Sequence, residues 1–144
     1  MRLFTHPVHV MLIHFPSALF PMELVCYGLL FFSGERSFAT AAYYAMTGGV
    51  AFGWLAVITG AMDLIKIPQH KPVIVKKALI HGTINSSVLI AYTVFVYLTS
   101  KQYPNLQEAS AGILVVKTIL VTVLIVGNWL GGDLILKHKV ALEN

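Results

Sequence analysis

Four long apolar runs constrain the fold of this chain more than any other feature. They cover roughly residues 7–32, 38–62, 72–99 and 109–136, and each reaches the length of about 20 residues that a bilayer-spanning helix needs. Backbone inside lipid must satisfy its own hydrogen bonds, so runs of this kind are expected to be helical. The connections between them are short and carry turn residues, which predicts antiparallel neighbours. The sequence therefore predicts an all-α, polytopic membrane protein: one domain, residues 1–144, folded as an antiparallel four-helix transmembrane bundle.

The composition supports a lipid environment. Of the 144 residues, 57% are hydrophobic and 11% are charged, whereas a soluble domain is about 45–50% apolar and about 25% charged. The lysines are spread over the connections, so the net charge of +4 does not indicate a nucleic-acid partner. The predicted partner of the whole chain is the lipid bilayer.

Positive charge is distributed unequally between the two membrane faces. We call the face that holds both termini side X and the opposite face side Y. Side Y carries Arg36 and Lys101, and Lys117 lies within the fourth span. Side X carries Arg2, Lys66, Lys71, Lys76, Lys77, Lys137 and Lys139. Cationic connections remain in the cytoplasm, so both termini are predicted to be cytoplasmic.

Histidine, aspartate and asparagine side chains concentrate in the side-X half of the predicted bundle. All four spans contribute to this group, and ionisable residues inside a membrane are rare and usually functional. The members are His6, His9, His14, His70, His81, His138, Asp63, Asn85, Asn128 and Asp133. Because they come from separate helices, they indicate a cofactor or metal site more strongly than any single histidine would.

A haem site is the first interpretation of this group. His14 lies about 10 Å along the first helix from Pro7, and His81 lies about 13 Å along the third from Pro72, at 1.5 Å per residue. These parallel helices would therefore hold two imidazoles at one height, as bis-histidine ligation of haem b requires. Asn85 follows His81 on the same helical face. In this interpretation Lys76 and Lys77 bind the propionates.

Two other interpretations use the same residues. His6, His9, His14, Asp63 and His81 offer imidazole and carboxylate donors that suit zinc, iron or manganese, in a structural, transport or catalytic site. Alternatively, the histidines only cap helices and fix helix register in a non-catalytic assembly subunit. The roles of His70 and His138, which lie beside lysines in a connection and in the tail, stay open.

Glu23 and Lys117 are the other charged residues that we expect to be buried in the spans. Their distances from the side-Y ends of the first and fourth helices place both about 12–14 Å deep. An unpaired charge at that depth is costly, so we expect the two to pair or to share a polar network. Such a pair would either staple the bundle or form part of a proton route toward side Y.

Small residues and prolines shape the helices. Gly49, Gly53, Ala56 and Gly60 form one stripe, and Gly127 and Gly131 repeat its spacing. Such stripes permit close helix packing, with room for a flat cofactor as the alternative. Pro7 can open the first helix, and Pro16 and Pro21 are expected to kink it.

Several motifs of the chain resemble a family of small bacterial four-helix predicted membrane proteins, the domain of unknown function 2231. The motifs are HPVHVMLIHFP, GAMDL, HGTIN and WLGGDL, in that order, and they span nearly the whole chain. The matching residues are His6, Pro7, His9, His14, Phe15, Pro16, Asp63, His81, Asn85, Gly131 and Gly132. Val10 and the segment His138–Val140 depart from the family pattern. The resemblance implies a bacterial inner (cytoplasmic) membrane location, and relatives that resemble membrane parts of redox systems favour electron transfer.

The leading functional hypothesis is thus a b-type cytochrome-like membrane protein that binds haem between transmembrane helices and transfers electrons. Its partner would be a quinone or a redox protein, and a homo-oligomer stays open. The chain contains no CxxCH motif for covalent haem attachment, and none of the sequence signals of hydrolases. A redox or cofactor-binding protein is therefore favoured over a hydrolase or a transferase.

Overall fold

The structure consists almost entirely of helices. A computed structural model of the chain describes residues 2–3, 6–65, 67, 70–106 and 108–138, with the backbone alone at 2–3, 6–7 and 135–138. Two short strands, β1 (Arg2–Leu3) and β2 (His6–Pro7), pair antiparallel. The helices are α1 (Val8–Leu12), α2 (His14–Ser33), α3 (Arg36–Ile65), α4 (Pro72–Ser100) and α5 (Ala111–His138).

Four segments are long and apolar enough to cross a membrane. They are Val8–Ser33, Arg36–Ile65, Pro72–Ser100 and Ala111–Leu134. Large apolar side chains such as Phe32, Ile65 and Trp129 are exposed on the outside of these helices, where a protein in lipid has no reason to hide them. The predicted all-α transmembrane fold is confirmed.

The first span is interrupted near its side-X end. Ile13 separates α1 from α2 as a single turn residue. Pro16 has no N–H to offer to the carbonyl of Leu12, so the helical ladder loses a bond directly beside this turn. The ring of His14 and the hydroxyl of Ser17 bond to the neighbouring carbonyls of Val10 and Ile13. Pro21, by contrast, lies inside the continuous helix α2.

The helices pack in a closed ring in which α2 and α4 each contact α3 and α5. Contacts between α2 and α3 pair Phe20 with Gly49, and the preceding α1 pairs His9 with Gly60. The numbering of the partners thus runs in opposite order, as it does in antiparallel neighbours. Between α4 and α5 the same order appears, because His81 meets Gly131 and Asn85 meets Gly127.

An aromatic pair forms the centre of the core. The rings of Phe20 and Tyr92 stack at 4.0 Å between centroids and 7° between planes, and both are almost completely buried. A Cβ atom on Gly49 would lie 2.5 Å from Cε1 of Phe20. The ring cannot retreat, because Tyr92 lies against it. The glycine stripe of α3 therefore accommodates side chains of neighbouring helices at this level.

We expect Gly49→Ala to destabilise the bundle by about 1–3 kcal/mol, because the added methyl overpacks the stacked rings. Thermal unfolding of the purified protein in detergent measures this effect. Gly28→Ala is the matched control, since its Cβ would meet only Cδ1 of Leu114 at an ordinary 4.0 Å. Equal melting temperatures for the two variants would contradict the packing described here.

Candidate functional site

A cavity of about 530 Å³ lies in the side-X half of the bundle, and all five helices contribute to its wall. Most of the lining is apolar and includes Phe20, Leu89 and Leu124. Polar side chains reach it from several helices. They are His9, Ser17, Asp63, His81, Thr83, Asn85, Ser86, Ser87 and Asn128. The cavity is thus an apolar chamber with convergent polar groups, which is the usual form of a small-molecule site.

His9 is anchored to α3. Its Nδ1 lies 2.8 Å from the carbonyl oxygen of Ala56, and its ring lies against Gly60, where a Cβ would come within 2.8 Å of Cε1. One helical turn separates these two residues of α3. The glycine therefore provides the space for the imidazole, and the carbonyl orients it.

His81 is anchored to α5 in the same way. Its Nδ1 lies 2.8 Å from the carbonyl oxygen of Gly127, and its ring lies against Gly131, where a Cβ would come within 2.5 Å of Cε1. The amide of Asn85 lies 3.1 Å from the same Nδ1. Oδ1 of Asn85 is buried without a hydrogen bond in the part of the chain that the structure describes. An exchange of the amide N and O would let Oδ1 accept from that Nδ1.

The two carbonyl contacts determine which ring nitrogen carries the proton. A carbonyl oxygen only accepts hydrogen bonds, so Nδ1 must be the protonated nitrogen in neutral His9 and in neutral His81. Nε2 then carries the lone pair in each ring. Neither Nε2 makes a hydrogen bond to any described residue, and both rings line the same cavity.

These matching contacts reveal an internal repeat. The bonded carbonyl lies 47 residues after His9 and 46 residues after His81, and in each case a glycine that contacts the ring follows one turn later. Phe20 follows His9 at the interval at which Tyr92 follows His81, and these two aromatic rings stack on each other. The hairpin α1–α3 and the hairpin α4–α5 therefore make equivalent histidine–carbonyl, histidine–glycine and ring-stacking contacts. An approximate two-fold axis along the bundle would relate the two hairpins in this way.

The structure does not bring His14 and His81 together. His14 is exposed on the outside of the bundle, does not line the cavity, and binds the carbonyl of Val10 in its own span through Nδ1. Residues five positions apart on a helix point about 140° away from each other. With His9 turned inward, His14 is therefore turned outward. The histidine that shares the cavity with His81 is His9.

The predicted metal ligands are also divided. His9, Asp63 and His81 line the cavity, whereas His14 does not. Within the described residues, no group of three or more His, Cys, Asp or Glu side chains is arranged to hold a metal ion. The side chains of His6 and His138 lie outside the described part, and His70 is exposed in the turn before α4.

The predicted propionate-binding lysines lie near the side-X end of α4. Nζ of Lys77 forms an ion pair with Oδ2 of Asp133 on α5 at 2.8 Å, and this lysine side chain is 39% exposed. Lys76 is exposed, and neither lysine lines the cavity. Of the two, Lys77 is held against the neighbouring helix α5.

Glu23 and Lys117 are in direct contact in the bundle interior, where Nζ of Lys117 donates to Oε1 of Glu23. The carboxylate is 0% exposed and the lysine 3%. The sulfur of Met46 lies 4.0 Å from the ammonium. This contact joins α2 to α5 beyond the Phe20–Tyr92 stack, on the side-Y side of the cavity.

Sequence reasoning missed the groups that orient the histidines. The carbonyls of Ala56 and Gly127 are backbone atoms. Every residue type has such a carbonyl, so the sequence does not identify the two that bind the histidines. The sequence nonetheless contained a signal. The glycine that contacts each histidine ring follows that histidine at nearly the same interval along the chain. Asn128 was placed in the correct half, but its hydrogen bond to Oγ of Ser17, at 2.9 Å, could not be paired from the sequence.

Comparisons with known proteins agree with this architecture. Neither a search of curated proteins nor a search of solved structures gave a significant match. A family model described as "Predicted membrane protein (DUF2231)" matches residues 5–144. That match covers nearly the whole chain, including both hairpins and the cavity between them. The chain belongs to the DUF2231 family of predicted membrane proteins.

Proposed function

We propose that this membrane protein binds haem b in the side-X cavity, with Nε2 of His9 and Nε2 of His81 as axial ligands, and that it transfers electrons. The supporting observation is the pair of equivalent carbonyl contacts that leave both Nε2 atoms unprotonated. A metal-ligating histidine commonly donates its other ring N–H to a carbonyl, which fixes the tautomer and orients the ring. Both rings already meet this condition.

The small number of donors favours haem over a bare ion. A structural zinc site usually needs about four protein ligands, and the described residues offer no group of three. Haem brings its own equatorial nitrogens, so two imidazoles complete its coordination. The donor set around the cavity therefore fits haem better than it fits zinc or manganese.

The dimensions and symmetry of the cavity also favour haem as the ligand. Its volume of about 530 Å³ lies within the range of about 300–1,000 Å³ that is usual for ligand pockets. The histidines occupy equivalent positions in the two hairpins, so a ligand between them would lie near the approximate two-fold axis. His9 and His81 would hold the iron of a haem at such a position from its two sides.

The remaining groups would bind and tune the cofactor. Lys77 lies at the side-X end outside the cavity lining and is paired with Asp133, so a propionate would compete with that carboxylate for the ammonium. The apolar lining would exclude water, and the Nδ1–H bonds would raise the basicity of the ligands; both affect a haem potential. When bound, haem supplies one-electron chemistry, and the electron partner would be a membrane quinone or a redox protein.

Absorption spectra of purified variants test this proposal. We expect the wild-type protein, expressed with ample haem, to show a Soret band and a low-spin bis-histidine spectrum that responds to dithionite. His9→Ala and His81→Ala should each lose the low-spin spectrum, because one axial ligand is gone. His14→Ala is the matched control and should retain it.

Two outcomes would count against the assignment. A colourless wild-type protein would remove haem from consideration, and elemental analysis would then test for a bound ion. Loss of the low-spin spectrum in His14→Ala, with retention in His9→Ala, would restore the pairing that the sequence suggested.

We also propose that side X faces the cytoplasm of the bacterial inner membrane. The cationic side chains near this face, including Lys71, Lys76 and Lys77, support that orientation through the positive-inside rule.

Cysteine labelling tests the orientation, because Cys26 is the single native cysteine. In a Cys26→Ser background, Ser110→Cys should react with an impermeant maleimide added to intact spheroplasts. His70→Cys should react only after lysis. Both parent residues are exposed, so access to the membrane face alone should decide reactivity. The reverse pattern would invert the topology.

A further inference from the structure

The buried Glu23–Lys117 pair is not explained by ligand binding in the cavity. Oε1 of Glu23 receives the bond from Lys117. Oε2 is buried and makes no hydrogen bond of normal length in the described part of the protein. The hydroxyl of Tyr92 faces this carboxylate as a donor, although their contact does not meet the geometry of a hydrogen bond. One oxygen of the carboxylate therefore remains able to accept a proton.

Few other groups of the neighbouring helices could exchange protons at this position. Lys117 comes from α5 and Tyr92 from α4, while Tyr27 and Cys26 come from α2 itself. The side chain that α3 presents to the ammonium is Met46, which does not titrate. The ammonium also lies over the rings of Tyr27 and Phe95, at 4.5 and 5.0 Å from their centroids.

The internal repeat shows that the fold does not require charge here. The position equivalent to Glu23 in the second hairpin is Phe95, and the position equivalent to Lys117 in the first is Met46. All four side chains meet around the same point near the approximate axis. Each half of the repeat thus places a charged side chain at one of these positions and an apolar side chain at the other. The ion pair is an addition, and a buried ion pair is often no more stabilising than apolar side chains of similar size.

The pair lies between the cavity and side Y. Toward the cavity, Tyr92 stacks on Phe20, which lines the cavity wall. Toward side Y, the hydroxyl of Tyr27 accepts the backbone N–H of exposed Ser110 at 3.0 Å. Tyr27 therefore extends from the ammonium to the connection before α5, and it offers a hydroxyl on the way to water.

We propose that the Glu23–Lys117 pair is a redox-linked proton site that takes up a proton from side Y when the cofactor in the cavity is reduced. This inference rests on the proposed haem binding. Haem in the cavity would accept one electron from a quinol or from dithionite, and this would add one negative charge to a medium of low dielectric constant. A proton from side-Y water binds the Glu23 carboxylate, Lys117 keeps its charge, and the added charges cancel. Phe20 and Tyr92 separate the two sites, so the coupling is electrostatic.

The pH dependence of the midpoint potential measures this coupling. Reduction that carries a proton becomes less favourable as pH rises, so the potential of the wild-type protein should fall by up to about 59 mV per pH unit. The test variant is the double substitution Glu23→Gln with Lys117→Met, because removal of one partner alone would strand a buried charge. We expect its slope to be less than half of the wild-type slope.

Two further measurements complete the design. Thr118→Val is the matched control, because Thr118 is exposed beside Lys117 and bonds only to its own helix; its slope should equal that of the wild type. The infrared difference spectrum between reduced and oxidised wild-type protein should show a carboxylic-acid C=O band that the double variant lacks.

The outcomes separate the two proposals. Absence of a Soret band in the wild type would overturn haem binding and this inference with it. Haem spectra that are normal in both proteins, with equal slopes and no carboxyl band, would overturn the redox-linked proton site and leave haem binding intact.

Discussion

The fit of ring side chains against glycines is the contact on which the rest of this structure depends. In lipid, helices gain little from burying apolar surface, so close packing must hold them together. Here α3 and α5 have glycines at the positions where rings from α1, α2 and α4 pack against them. Phe20 lies against Gly49, His9 against Gly60, and His81 against Gly131. These contacts hold the helices together and position the two imidazoles.

The same contacts explain why the imidazoles have fixed tautomers. A buried polar atom without a partner costs about 1–3 kcal/mol, and lipid offers no water to replace one. With a carbonyl at 2.8 Å from each Nδ1, the alternative tautomer would place two lone pairs face to face. Packing thus determines protonation, and protonation determines which nitrogen can bind a ligand.

The sequence was informative wherever length or charge decides the outcome. The four spans followed from the apolar runs, and hairpin topology explains why His9, Asp63, His81, Asn85 and Asn128 line one cavity. The rotation of the first helix could not be predicted. It depends on which side of the span packs against α3, where the ring of His9 lies against Gly60, and a difference of about 140° decides whether His9 or His14 points inward. The carbonyl partners were equally inaccessible, because Ala56 and Gly127 contribute backbone atoms.

The two-fold relation between the hairpins has a consequence for the buried charges. If two identical hairpins formed the bundle as a dimer, every residue near the axis would occur twice. An acid and a base at the positions of Glu23 and Lys117 would then bring a second acid and a second base into the same small volume. Joining the halves in one polypeptide removes that restriction, because Phe95 and Met46 can occupy the sister positions. A single ion pair at the centre of such a bundle requires that its two halves differ, as they do in this chain.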